Sequence, residues 1–375
     1  MVSLSTAWEW IVEKRAQSGE EYYRELSWLE PLDEKAQSTN ETSLSSWDDI
    51  PLYPIPAVYL PVAGVNHTLN NVEPRNIQMT LDLTSEKSDG MFCLALRAAD
   101  TGRIARVGTL MKLLHADPHY ASDDGTIARF TVTCVALEPV TIDSINNGQE
   151  AENRVSRLMR SPVYLKANLS RRKAISEVDS SGSDQVDQLL KDYAFVRCMY
   201  IDGVGQDDIP MFARLRFEED LDEWSTQMFE TDEGFWKAAY SWQRLCNTVR
   251  EGRQIDLSTD RNEIMIEAAS QKGGPLKLPI HMEDLPLDIQ QQLRQMEVDR
   301  LEEFAFKCQM DPILDFLVLL QEETLHDRIL HLSRMVARER RRLTEAALRG
   351  GATKERNKSN FSGQPRRGAW FDNES

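Results

Sequence analysis

His115 and His119 stand four residues apart, the spacing that brings two imidazoles onto one face of a helix, where they could share a metal ion. Pro118 lies between them and disfavours that helix, so both are read as ordinary loop histidines. His326 and His331 are five apart on a helical stretch, on different faces, and are read as surface residues. A phosphate-binding loop needs G-x-x-x-x-G-K-[ST]. Gly273-Gly274 has Lys272 before it and Pro275 after it, the wrong order. The five cysteines, Cys93, Cys134, Cys198, Cys246 and Cys308, are widely spaced singletons without metal or redox spacing. Reduced, mostly buried thiols in an intracellular protein are the expectation. No nucleophile–base pair is visible. Glu73 and Arg75 flank Pro74 and are read as capping the helix that follows, rather than as an acid with its positioning cation. These residues predict no catalysis, no cofactor and no metal.

The charge argues in the same direction. The 375-residue chain carries a net charge of −17, with 41% apolar residues. Phosphate binding needs clustered Lys and Arg, so nucleic acid is not the expected partner of the body. Arg338, Arg340, Arg341 and Arg342 form the one dense basic cluster. It is read as complementing the dipole at the end of the last helix, with an acidic partner or RNA as the alternative. The acidic run Glu218–Glu223 is read as a solvated surface. No apolar run approaches the roughly 20 residues of a membrane span. The first residues lack a secretory signal and are too acidic for a transit peptide, so an intracellular, most simply cytoplasmic, location is expected, with an organelle as the other option.

These residues must be positioned by two kinds of element. Thr6–Glu9 fits a capping box before a short N-terminal helix within residues 1–30. Residues 31–48 read as a linker. Residues 49–175 are β-like, with candidate strands at Val58–Leu60, Met91–Arg97, Ile104–Leu114, Ile127–Ala136 and Val163–Leu169, and one helix over Pro74–Leu83. Turn signals fall at Ser88–Gly90, Asp100–Gly102, Asp123–Gly125 and Asn146–Gly148; Asp124-Gly125 predicts a hairpin. Residues 176–187 read as a second linker. Residues 188–349 then change to helical spacing. Val186, Leu190, Tyr193 and Val196 form one face; Trp236, Tyr240, Leu245 and Val249 a second; Ile289, Leu293 and Met296 a third. Asp311-Pro312 predicts a helix start. Thr324–Asp327 predicts the start of a long last helix, ended by Gly350-Gly351, and residues 350–375 read as a disordered basic tail.

Within the β-like part, Ile50–Pro61 reads IPLYPIPAVYLP, four prolines in twelve residues. Proline is tolerated at sheet edges, strand starts and bulges, so the stretch predicts an edge strand opening a small barrel. It resembles the opening of the N-terminal substrate-binding domain of Lon proteases, of the form L-P-L-F-P-L-x-V-x-F-P-G followed by F-E-P-R-Y. Pro51, Leu52, Tyr53, Pro54, Pro61, Glu73, Pro74 and Arg75 match. Gly108 and Asp124-Gly125 are placed as in that family, and LLQEETLHDRILHLSRMVARERRRL resembles its closing helix. Val62 stands where the family has glycine, and Asn76 where it has an aromatic. The resemblance covers roughly residues 49–349.

That resemblance implies an α+β protein: a six-stranded, PUA-like pseudo-barrel packed on a helical bundle with a long C-terminal helix. It implies a non-catalytic module that recognises unfolded or specific protein substrates, or serves as an adaptor in protein quality control. The expectation is a stand-alone module without ATPase or protease parts, with protein substrates or partner proteins as ligands. The candidate binding residues are Tyr59, Leu60, Val62 and Val65 beside the first strand. Trp236 and Trp242 join them. These two lie at i, i+6, so one is expected in the core and one exposed. The alternative is RNA binding by the barrel and the basic tail.

Overall fold

Extended runs within residues 47–171, several of them alternating apolar and polar side chains, form one six-stranded sheet. Its strands are β1 (Trp47–Ile55), β2 (Asn66–Asn71), β3 (Met91–Arg97), β4 (Ile104–Tyr120), β5 (Ile127–Ile145) and β6 (Leu165–Arg171). Helix α1 (Pro74–Leu83) lies between β2 and β3, and the short α2 (Gly148–Glu152) follows β5. The computed structural model describes residues 26–30, 47–98, 102–121, 125–152, 162–172, 183–202, 223–270, 280–306 and 312–361. The expected N-terminal capping box, the linker over 31–46, the acidic residues 218–222, Gly273-Gly274, Cys308 and residues 362–375 lie outside these.

Strand order is β2-β5-β4-β3-β1-β6, and β5 also pairs with β6. Five strands therefore follow one another in a closed circuit, β5–β4–β3–β1–β6–β5, with β2 added on β5. All pairings are antiparallel except β1 with β3. One edge of β5 is shared: residues 130–135 face β2 and residues 140–145 face β6. Pro139 sits at that changeover, where the edge asks for no backbone donor.

The expected edge strand is a correction. β1 lies between β3 and β6. Its partners change at Leu52: residues 47–52 face β6, and residues 52–55 face β3. Pro51 and Pro54 each lie in a stretch with a single partner, which reproduces locally the freedom of an edge. Val58–Leu60 is not a strand either. Pro56 and Pro61 bracket it, and side chains serve its carbonyls: Gln243 Nε2 donates to Val58 O at 2.9 Å, and Thr109 Oγ1 donates to Tyr59 O. β2, NHTLNN, was not expected. It is polar, yet alternates strictly between exposed and buried, with His67, Leu69 and Asn71 inward.

Local signals held elsewhere. α1 starts with Pro74 at its first position, as anticipated. Glu73 occupies the cap position, but its carboxylate takes Arg75 Nε at 2.7 Å and caps no backbone N–H. β4 and β5 form the expected hairpin, with Gly125 at φ 71° and Ala121 N–H donating to Thr126 O at 2.8 Å. His115 and His119 lie on β4, not in a loop, and bond to Asp117 (2.7 Å) and Thr131 (2.9 Å).

The helical part comprises α3 (Ser183–Asp202), α4 (Asp232–Ser270), α5 (Leu287–Phe306), α6 (Pro312–Gln321) and α7 (Leu325–Phe361). α3 begins within the residues read as a linker. α7 is capped by Thr324 Oγ1, which accepts Asp327 N–H at 3.0 Å. It runs through Gly350-Gly351 instead of ending there. A helical glycine costs about 1 kcal/mol relative to alanine, a penalty that weakens a long helix without stopping it. No helix among the described residues is long and apolar enough to cross a membrane.

Several buried apolar layers hold these parts together. Leu52, Cys93, Ala95, Leu110, Val140, Ile142, Ala167 and Leu169 fill the inside of the strand circuit. Met79 and Leu83 of α1 cover Phe92, Leu94, Met111, Phe130 and Val132 on its outer face. Leu60, Val62 and Val107 join a core of Leu189, Tyr193, Phe235, Trp236, Trp242, Phe316, Leu332 and Val336, which binds sheet to helices. Residues 26–30 add a short extended piece beside β4, with Trp28 bridged to Ala105.

Candidate functional site

The apolar residues singled out beside the first strand face inward. Leu60 (0% exposed) and Val62 (3%) lie in one cluster with Trp236 (4%) and Trp242 (2%), and Val65 packs partly buried against it. Tyr59 is half-buried on the α1 side of the sheet. The expectation of one exposed tryptophan is corrected, because the first half of α4 is covered on both sides where these residues stand. Trp236 lies under the Arg328 guanidinium of α7, 4.9 Å away, and Trp242 meets Tyr193 of α3 and Trp224 edge-on. The surface proposed from sequence is thus the seam between sheet and helices.

Three of the four clustered arginines have acidic partners within the fold. Arg338 lies 3.5 Å from Asp315, Arg340 pairs with Asp192, and Arg342 binds Glu339 at 2.6 Å and Tyr200. The basic cluster sits mid-helix rather than at a helix end, and it braces α7 against α3 and α6. His331 is buried beside Asp315 at 3.5 Å, not on the surface. In the seam, His67 is buried between Tyr59 (4.9 Å, edge-on) and Tyr240 of α4 (6.2 Å). Its Nε2 has no hydrogen-bond partner among the described residues, and burial lowers its pKa. Cys134, its cross-strand partner, is pushed up to about 12 by burial, which leaves an inert thiol.

A polar cleft of about 480 Å³ lies between α1, β1, α2 and the start of β6. Its frame begins with Asp49, which adopts the left-handed region (φ 54°) where the register of β1 on β6 shifts. Aspartate tolerates that conformation better than most residues. The kink lets Asp49 N–H donate to Asn168 Oδ1 (3.2 Å) and lets Asp49 Oδ1 accept Asn146 Nδ2 (2.6 Å). Asn147 spends both ends of its amide on the backbone, donating to Tyr164 O and accepting Lys166 N–H, each at 2.8 Å. On α1, Asp82 accepts Gln78 Nε2 on one oxygen (2.8 Å) and the Tyr164 hydroxyl on the other (2.7 Å). Burial and the bond to Asp82 push the Tyr164 phenol well above its ordinary range. It stays a donor at neutral pH and cannot serve as a base there.

The cleft is therefore a preformed hydrogen-bonding surface whose groups mostly hold one another. It carries the carboxylates Asp49, Asp82 and Glu150 with one ammonium, Lys166, which favours a ligand with donors or positive charge. Among the described residues no group of three or more His, Cys, Asp or Glu is placed to hold a metal ion. The sequence marked Asn146–Gly148 only as a turn. Nothing local in it joined that turn to Asp49 or Asp82.

The chain is similar in structure to a Lon N-terminal domain protein from Xanthomonas campestris, at 16% identity and a TM-score of 0.27, covering 39% of this chain and 73% of that one. It is also similar to the N-terminal domain of the Mycobacterium avium complex Lon protease, at 13% identity and a TM-score of 0.27, covering 54% and 98%. No family model matches the chain, and no curated protein does.

Proposed function

We propose that this protein is a non-catalytic protein-binding module that recognises unfolded or specific protein segments, as a substrate-recognition unit or adaptor in protein quality control. The observation that carries this reading is residues 26–30. Here the sheet holds an extended segment along β4: Arg106 N–H donates to Ser27 O and Leu29 N–H donates to Ile104 O, both at 2.9 Å. A surface that captures an extended chain by backbone bonds, with pockets for its side chains, is suited to binding polypeptide. The strand circuit, read as a PUA-like barrel, supplies a rigid platform. The polar cleft supplies a second contact surface, and its committed hydrogen bonds suit recognition rather than proton transfer.

The test is binding of a reduced, carboxymethylated model protein to the purified chain, followed by calorimetry. Saturable binding that the native form of the same model protein does not show is the expected result. Equal or absent binding of both forms would overturn the reading.

A further inference from the structure

We infer that the groove between the start of β4 and α6 is an exchangeable site for an extended apolar–x–aromatic–apolar segment, held in cis by residues 26–30; this rests on the protein-binding reading above. The groove exists because β4 outruns its neighbour. β5 pairs with β4 only from Val107 onward, so Ile104–Arg106 would present an unpaired edge on that side. Residues 26–30 fill that edge and end with it, since three residues of β4 can hold only a short strand.

The side chains of the segment alternate as an extended chain requires. Leu26 and Trp28 pack on Leu96, Ala98, Leu317 and Val318, while Leu29 turns into the circuit with Leu52 and Ile104. All three are buried, whereas Ser27 and Glu30 are exposed. Two groups outside the paired strands add contacts, of which only the second senses a side chain. Gln321 Oε1, at the end of α6, accepts Ser27 N–H at 2.8 Å, and the Arg103 guanidinium lies 5.8 Å from the Trp28 ring centroid. Ala98 and Ala105 are the small residues that leave room for the indole. Backbone bonds and three apolar side chains against the ordering of five residues leave a small surplus, so the occupant can be displaced. The ligand class follows from the occupant: extended polypeptide carrying a tryptophan or similar large residue between aliphatic ones, a pattern that folded proteins bury and unfolded chains expose.

The probe is a fluorescently labelled synthetic peptide spanning residues 22–32, with a Trp28→Ala version of that peptide as control. Both are titrated by anisotropy into the full chain and into full-chain Trp28→Ala. The expected result is at least tenfold tighter binding to the variant, with no binding of the control peptide. A folded variant that binds the probe no better than the parent overturns the inference. If the variant fails to fold, hydrogen exchange on the parent decides. Leu29 and Arg106 amides exchanging faster than Leu110 and Met111 support displacement, and equal protection overturns it. A carboxymethylated substrate separates this inference from the functional reading. Equal binding to parent and folded variant refutes the groove alone, whereas peptide binding without substrate binding refutes the function alone.

Discussion

The Arg328 guanidinium lies 4.9 Å from the centroid of Trp236 and donates from Nη1 to Asp232 Oδ1 at 2.9 Å. Arg328 is 2% exposed, and its Nε donates to Glu322 O at 3.0 Å. One side chain thus ties the first turn of α4, the first turn of α7 and the connection from α6. A planar fork is needed to reach all three, which lysine cannot supply.

Arg328→Lys and Arg328→Met are therefore expected to destabilise the protein by about 3 kcal/mol, the order of a lost buried charged hydrogen-bond set. Urea unfolding followed by tryptophan fluorescence measures this. A loss below about 0.5 kcal/mol in both variants would show that the seam does not depend on this contact.

Gly108 of β4 lies tight against β3. A Cβ there would stand 2.6 Å from Leu94 O and 2.8 Å from Cys93 Sγ. Backbone cannot yield as a flexible side chain can, so Gly108→Ala is expected to cost about 1–3 kcal/mol. Thermal unfolding checks it, and an unchanged melting temperature would mean that β3 and β4 are less tightly apposed.

Burial keeps the His67 imidazole below its ordinary pKa of 6.5. Its neighbours include Tyr59, Cys134 and Tyr240. The folded state then binds a proton less readily than the unfolded one. Its contribution is present above pH 6.5 and is lost as pH falls from there toward the lowered value. Each tenfold difference in proton affinity is worth about 1.4 kcal/mol. His67→Phe should flatten the stability profile between pH 7 and pH 5. A variant as acid-sensitive as the parent would place the titrating group elsewhere.

The purified chain is expected to hydrolyse no ATP and to degrade no casein. Phosphate release and casein fluorescence assays test this against a heat-treated control. Activity that persists through further purification would contradict the non-catalytic reading.

Tyr164→Phe removes the hydroxyl that binds Asp82 across the cleft. A loss of about 1 kcal/mol in stability is expected, with native circular dichroism retained. A neutral substitution would show that solvent serves Asp82 equally well.

The sequence by itself determined what depends on neighbours along the chain. Pro74 set the start of α1, Pro312 the start of α6 and Thr324 the cap of α7, because a fixed φ or a capping hydroxyl acts within one turn. The strand pattern marked β3 over its full length and marked β4 and β5 short of their far ends, and Gly125 marked the hairpin between the latter two. Only the tertiary structure decided what covers each apolar or charged face. Periodicity shows that Trp236 and Trp242 project from different sides of a helix; it does not show that α7 waits on one side and α3 on the other. The same gap hid the pairing of Arg340 with Asp192, the burial of His331 and the placement of β1 between two strands. Ser27 meets Gln321 across 294 positions of chain. A contact of that range has no local signature, because the groove receiving Trp28 exists only once β4 and α6 have come together.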